Sequence, residues 1–304
     1  MTEADRIKRM NNEGPFLIFH VEGGMGKNVL STAVVEVLHK TYPNYKIVVA
    51  TAWEAPFMNN PHVFRVFNFG EVRYFYDQYM YSDTKIFRID PYHTEDHLHH
   101  RKHLIKTWCD LYNLPYNGEQ PRLYLNPREL EIMYAKILPN SGKPIMMLQT
   151  NGGPPNQELR KSWARDLPLE VAQNVVDHFS PYYRILHIRR EDQLQLNNVE
   201  PLLLNQRELY CAIAFSTKRL FIDSFAQHAA KALNLDSVVC WIGTSPDVFG
   251  YDNNINIMSS GNKIATSNKM AYFEEYDILG HTNQYPYENL NLFNADVLIE
   301  ALKK

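Results

Sequence analysis

Cysteine is scarce: the 304 residues contain three, Cys109, Cys211 and Cys240, far apart and without a C-x-x-C pair. That number and spacing point to neither a disulfide framework nor a zinc site, and no metal is expected. A reducing compartment is the simplest setting, so the chain is expected to be cytoplasmic. An excess of either charge is also missing. With 31 Lys and Arg against 34 Asp and Glu, the net charge is -3, and the pI is near 6.5. Such a balance exerts no global pull on phosphate polymers, so nucleic-acid binding would need a local basic patch. No uninterrupted apolar run approaches a membrane span. The polar stretch from Met1 to Gly14, with Arg6, Lys8 and Arg9, is not followed by a signal-like apolar core. Neither a transmembrane segment nor an export signal is expected. Short-period repeats and low-complexity tracts are absent too.

The residues that are present have the composition of an ordinary globular protein, 45% hydrophobic and 21% charged. The length suits two α/β domains better than one core. Phe16 to Val21 reads as a buried strand that runs into Glu22-Gly23-Gly24-Met25-Gly26 and then a helical pattern carrying Val29, Val34, Val37 and Leu38. Lys46 to Ala50 and Val63 to Phe67 read as further strands, which makes the opening a Rossmann-like βαβ unit. Lys85 to Asp90 is a short strand, with helices from His97 to Leu111 and from Leu130 to Leu138. Pro139-Asn140-Ser141-Gly142 is polar and turn-rich, a candidate linker between domains at 1–140 and 141–304. Alternation then resumes. Strands are expected at Pro144 to Gln149, Arg184 to Ile188, Arg219 to Asp223 and Ser237 to Ile242. Helices are expected at Leu169 to Phe179, Gln206 to Phe215 and Phe225 to Leu233, with a closing helix from Ala295 to Leu302. The periodicity between Asn253 and Gln284 is too weak to assign. Strands alternating with helices in both halves argue for two parallel-sheet domains.

Two motifs carry chemistry. In Gly23-Gly24-Met25-Gly26-Lys27, three glycines between a strand and a helix allow a tight turn that aims helix-start amides at an anion. A Walker A loop would need glycine where Val21 stands and Ser or Thr where Asn28 stands, and G-x-G-x-x-G would need glycine at Val29. Both spacings fail, which disfavours a P-loop phosphotransferase. A packing turn remains the bland reading of this loop. The second motif is Asp223-Ser224 with His228 one turn on, followed by Gly243-Thr244-Ser245-Pro246 after the next strand. Ligands of open α/β sheets collect at such carboxyl ends. A carboxylate there binds sugar hydroxyls, while hydroxyls and free amides bind a diphosphate. An N-capping Asp-Ser pair beside a half-buried histidine is the bland alternative.

In order, these pieces resemble the ADP-heptose lipopolysaccharide heptosyltransferases of glycosyltransferase family 9. The resemblance rests on Gly23 to Gly26 continuing through Leu30-Ser31-Thr32-Ala33 to Tyr42-Pro43, and on Asn59-Asn60-Pro61-His62-Val63-Phe64-Arg65-Val66. Lys161-Ser162-Trp163 with Leu167-Pro168, Phe221 to Leu233, and Trp241 to Pro246 complete it. It spans residues 16 to about 250. It implies the GT-B fold, two Rossmann-like domains with parallel sheets facing a cleft, the first binding acceptor and the second a nucleotide-sugar. Transfer would be inverting and metal-independent, with no cofactor beyond the nucleotide diphosphate-sugar donor. On that resemblance Lys161 is the diphosphate partner and Asp223 the sugar-hydroxyl contact. Ser224, His228, Gly243 and Thr244 line the donor with the Gly24 and Gly26 loop. Arg184, Arg189 and Arg190 border the nucleotide, and Glu191 is a candidate for the ribose hydroxyls.

One departure from the family pattern stands out. Its Asp after Gly-x-Gly, the general base, is replaced by Lys27. A lysine takes over that role only with a strongly depressed pKa. The expected alternatives are Glu22 on the same loop as base with Lys27 holding a phosphate, or a non-catalytic nucleotide-sugar or glycan-binding protein on the same scaffold. The acceptor implied is a lipopolysaccharide-like glycan. A hydroxymethylated DNA base is the alternative were this a divergent phage-encoded member. His93, His97, His99, His100 and His103 cluster with Glu95 and Asp96, but HExxH is absent and the i, i+4 pairs lie on different faces. They read as a solvated or acceptor-facing helix, with His93 and His97 as acceptor contacts. Arg101, Lys102 and Lys106 read as its solvated basic stripe. Tyr76 in the aromatic stretch from Tyr74 to Tyr81 is a candidate for stacking on acceptor sugars. Nothing in the sequence sets the oligomeric state.

Overall fold

The computed structural model describes residues 14–69, 75–80, 83–137, 142–152, 165–189, 193, 195–260 and 292–304. The chain divides into two compact units, Met1–Asn126 and Pro127–Lys304. The division falls ahead of the turn-rich 139–142 segment, because the intervening helix packs in the second unit.

In the first unit the order is β1 (Phe16–Val21), α1 (Met25–Thr41), β2 (Lys46–Thr51), a 3-10 turn (Ala55–Phe57), β3 (Val63–Asn68), α2 (Phe75–Tyr79) and β4 (Lys85–Phe87). A second 3-10 turn (Pro91–His93), α3 (Glu95–Leu98) and α4 (Leu104–Leu111) follow. The four strands are parallel in the order β3-β2-β1-β4. Central β1 is apolar and buried on both faces except at partly exposed His20, as a parallel strand covered by crossovers requires. Phe16, Ile18 and Val48 pack with Phe75 and Tyr79 on one side.

The second unit comprises α5 (Pro127–Ile137), β5 (Ile145–Gln149), α6 (Leu169–Phe179), β6 (Arg184–Ile188), β7 (Glu200–Leu202) and α7 (Gln206–Phe215). β8 (Lys218–Ile222), α8 (Phe225–Ala232), β9 (Val238–Trp241), α9 (Pro246–Phe249), β10 (Ile255–Met258) and α10 (Ala295–Lys303) complete it. Its parallel sheet has the order β10-β9-β8-β5-β6-β7. Counted from β5, this is the doubly wound 3-2-1-4-5-6 arrangement of dinucleotide-binding folds. Its core joins Met146, Leu148, Leu220 and Ile222 to Val175, Val176 and Phe179 of α6 and Leu298 and Leu302 of α10.

Most elements fall where periodicity places them, and the exceptions have local causes. The helix expected from His97 to Leu111 is two. His100 takes a left-handed conformation (φ 51°), and the His103 ring accepts a hydrogen bond from Ile105 N at 3.3 Å, starting α4 afresh. Pro127 opens α5 earlier than expected, since its preset φ suits a first helical position. β7 and β10 are edge strands of three and four residues with exposed or intermediate positions, too short to show a period. β10 lies in the stretch the sequence left unassigned, of which residues 261–284 lie outside the described residues.

Candidate functional site

In each sheet the chain leaves the central strand in opposite directions, and the crevice between the two crossovers is where doubly wound folds bind ligands. These switch points lie between β5 and β8 in the second unit and between β1 and β4 in the first.

At the carboxyl end of β5, Gln149 donates from Nε2 to Ser224 Oγ at 3.1 Å, and to the Asn151 carbonyl at 3.1 Å. Ser224 stands at the N-cap of α8, yet its side chain makes no capping bond. The first-turn amides of α8 are therefore left uncapped by it. Gly152 lies so close that a Cβ there would meet Ser224 Oγ at 3.0 Å and Ile222 Cδ1 at 3.2 Å. Asp166 fixes the turn, accepting from Asn151 Nδ2 at 2.9 Å and Gly152 N at 3.0 Å. Asp223 is buried and lies 4.0 Å from Arg165 Nε. Two polar atoms, Gln149 Oε1 and the Oγ1 of Thr244, which lies three residues past β9, are buried and have no hydrogen-bond partner among the described residues. Such atoms cost about 1–3 kcal/mol each unless something satisfies them.

Behind this turn the Thr150 hydroxyl donates to Asn151 Oδ1 at 2.8 Å and therefore accepts from His187 Nε2 at 2.9 Å. Burial pushes His187 down to about 4, with the Arg189 charge adding to the effect, so the ring is neutral and carries its hydrogen on Nε2. His228, expected at the donor, is buried and bonded through Nδ1 to the Tyr251 hydroxyl at 2.8 Å. It braces α8 against the turn after α9. Gly243 follows β9 with partial exposure. Arg184, expected beside the nucleotide, instead sits at the amino end of β6, opposite the end where ligands collect, in a bidentate pair with Glu200 (2.6 Å for each bond). Lys161 and Glu191 lie outside the described residues, as does the side chain of Tyr76.

At the other switch point Glu22 is solvent-facing, 57% exposed, with His20 Nδ1 3.5 Å away. Gly23 has φ +93°, and its carbonyl accepts from Trp53 Nε1 at 2.9 Å. Gly24 O is held by Asn28 Nδ2 at 3.0 Å, and the Thr51 hydroxyl donates to Asn28 Oδ1. Gly26 lies in the first turn of α1. Lys27 does not point to solvent. Its side chain is 3% exposed, and its ammonium pairs with Asp90, which lies three residues past β4. The same nitrogen lies 4.2 Å from the centre of the Tyr92 ring and 5.4 Å from that of Trp108. Desolvation lowers the Lys27 pKa, and the hydrogen bond and charge of Asp90 oppose that shift. The other Asp90 oxygen accepts from Tyr92 N at 2.9 Å.

The histidine cluster separates. His97 is buried, stacked on Tyr92 at 4.4 Å with planes 5° apart, and burial lowers it to about 4. It supports Tyr92 from beneath and does not face solvent. His93 is exposed on the turn after Asp90. The basic stripe is balanced by acids: Lys102 pairs with Asp96 and Asp110, Lys106 with Asp110, and Arg101 with Glu95. Sequence reading missed Asp90, Arg165, Gln149 and Asp166. Only Gln149 carried a local signal, a polar residue ending an apolar strand. Among the described residues no group of three or more His, Cys, Asp or Glu side chains is placed to hold a metal ion, and no helix is long and apolar enough to cross a membrane.

Each unit carries a parallel sheet wound in both directions from a central strand, the architecture that the GT-B fold uses twice. No family model matches the chain, and no curated protein matches it in sequence. Solved structures do match in fold. A family 9 glycosyltransferase from Veillonella parvula aligns over 95% of this chain and 96% of its own (TM-score 0.65, 13% identity). The Escherichia coli ADP-heptose lipopolysaccharide heptosyltransferase II aligns over 95% and 98% (0.65, 13%). The iron-containing dodecameric glycosyltransferase TibC of enterotoxigenic E. coli aligns over 95% and 75% (0.65, 13%). The chain is thus similar in fold to the family 9 heptosyltransferases.

Proposed function

We propose that this chain is a glycosyltransferase that binds a nucleotide diphosphate-sugar at the β5/β8 crevice and transfers the sugar to an acceptor hydroxyl. The observation that carries this reading is the clasp of Gln149 on Ser224, which sets the α8 amides, Asp223 and Arg165 around one switch point. Amides and a guanidinium suit a diphosphate, and a buried carboxylate suits sugar hydroxyls. Buried Gln149 Oε1 and Thr244 Oγ1 are polar atoms for a ligand to satisfy. Lys161, by its place in the motif order, is proposed as a further diphosphate partner and Glu191 as a ribose contact. These fixed donors would stabilise the leaving-group charge in place of a metal ion, and a single in-line displacement at the anomeric carbon would make the transfer inverting. Among the proteins that share the fold, the heptosyltransferase II is named for lipopolysaccharide, which favours a lipopolysaccharide-like glycan as acceptor over a modified DNA base.

A panel of nucleotide-sugars, scored by binding and by nucleotide release with and without a lipopolysaccharide acceptor, tests the reading. Binding and turnover, both weakened in Asp223→Asn, are expected. Failure to bind any nucleotide-sugar or nucleoside diphosphate would sink the proposal. A second reading, a non-catalytic nucleotide-sugar-binding protein, draws on Lys27 standing at the family's base position. Tight binding with no nucleotide release from any donor selects it.

A further inference from the structure

Granting the transferase reading, the first unit still needs a carboxylate to take the acceptor's proton, because Lys27 occupies the loop position where the family has one. We propose that Asp90 is that general base and that Lys27 is the positioning residue that holds it.

The sheet order makes the assignment. β1 and β4 are neighbours, so the loop leaving β1 and the turn leaving β4 open onto one crevice. Lys27, in the first turn of α1 directly after the first loop, meets Asp90 of the second there. Their exposures differ in the way a base and its anchor require. The Lys27 side chain is 3% exposed, packed beside Tyr92 and Trp108, and presents no donor to solvent; the Asp90 side chain is 21% exposed. The carboxylate is fixed at both oxygens, one by the Lys27 ammonium and one by the Tyr92 amide, and each oxygen keeps lone-pair capacity for a hydroxyl. Tyr92 is in turn backed by the parallel ring of buried His97. A base held in one orientation loses little entropy on meeting its proton donor. Glu22 on the first loop is 57% exposed, and among the described residues its carboxylate has His20 at 3.5 Å and no fixed donor of the kind that holds Asp90. His93, exposed three residues beyond Asp90, borders the same turn and is available to an acceptor.

The step balances without a further reactant. As the acceptor oxygen forms its bond to the anomeric carbon, its proton passes to an Asp90 carboxylate oxygen. The bond from that carbon to the diphosphate oxygen breaks, and its electron pair leaves with the nucleoside diphosphate. The neutral carboxyl group then returns its proton to solvent.

The full chain is assayed for release of the nucleoside diphosphate from ADP-heptose and from the other nucleotide-sugars, with lipopolysaccharide lacking its heptose as acceptor, alongside affinity for ADP and melting temperature. Asp90→Asn is expected to lower kcat at least a hundredfold with ADP affinity unchanged, while Glu22→Gln stays within a few-fold of the parent. Where Asp90→Asn alone melts early, Asp90→Asn combined with Lys27→Met removes the orphaned ammonium, and the same kcat loss is expected in a folded protein. Asp90→Ala is expected to regain turnover with added formate. Lys27→Met should lower kcat without moving KM for the donor. Folded Asp90 variants that turn over like the parent, or activity that disappears instead in Glu22→Gln, overturn the assignment and leave the transferase reading standing. A parent chain that turns over no donor removes both.

Discussion

Gln149 and Ser224 lie 75 positions apart in the chain, yet Gln149 Nε2 donates to Ser224 Oγ at 3.1 Å across the gap between β5 and β8. That bond draws the only hydroxyl at the α8 N-cap away from capping and leaves the helix start open. Gly152 is part of the same arrangement, because its lack of a Cβ lets the β5 turn approach Ser224. Gly152→Ala should therefore force the turn and the helix start apart. It is expected to cost about 1–3 kcal/mol of stability and to weaken nucleoside diphosphate binding, measured by denaturant unfolding and by calorimetry. Unchanged affinity would show that the clasp does not shape the ligand site.

Arg165 stands 4.0 Å from Asp223 at the same crevice. Arg165→Met should raise the Kd for a nucleoside diphosphate about ten- to a hundredfold, the range of a lost charge-assisted hydrogen bond. The corresponding nucleoside should be affected far less. Equal effects on the two would mean that the guanidinium serves the fold and not the phosphates.

The Lys27–Asp90 pair predicts an asymmetry in stability. Asp90→Asn leaves an ammonium buried without its counter-ion, and about 3 kcal/mol of destabilisation is expected. Lys27→Met leaves only a partly exposed carboxylate, which water can solvate, so its effect should be smaller. The double variant should recover most of the loss. Additive losses in a denaturant double-mutant cycle would mean the pair contributes no coupling.

Stability should also fall in mild acid. His97 and His187 titrate near 4 in the native protein because both are buried, against an ordinary value of 6.5. Below pH 6.5 the unfolded chain gains protons that these native rings refuse, so unfolding becomes easier down to about pH 4. Above 6.5 neither ring contributes to the pH dependence. Each shift is worth roughly 3 kcal/mol at most. His97→Phe and His187→Phe should each flatten that slope in unfolding curves taken at pH 4.5 and 7. A slope unchanged in both variants would place the acid sensitivity elsewhere.

Chelation supplies a further test. With Arg165, the α8 amides and Lys161 as the proposed diphosphate partners, turnover is expected to survive dialysis against a chelator. Activity lost there and restored by one divalent ion would show that a metal carries the charge.

Much of this protein was open to reading in one dimension. β1 and β5 are apolar runs, α6 and α7 keep the helical period to the residue, and Asp223-Ser224 and Gly23 to Lys27 sit at strand ends because strand and turn chemistry are local. Periodicity and ordered motifs therefore decided the two-unit α/β fold and one wall of each crevice. The opposite walls, Asp90 for Lys27 and Gln149 with Arg165 for Ser224 and Asp223, come from the ends of strands, and the turns after them, made neighbours by the order in which each sheet is wound. The tertiary structure also turned His97, His228 and Lys27 inward, since which side of a turn is covered depends on the element packed over it. Local pattern records which face a residue takes on its own helix or strand. It holds no record of what lies opposite, and that partner decides whether a lysine meets a phosphate or a carboxylate.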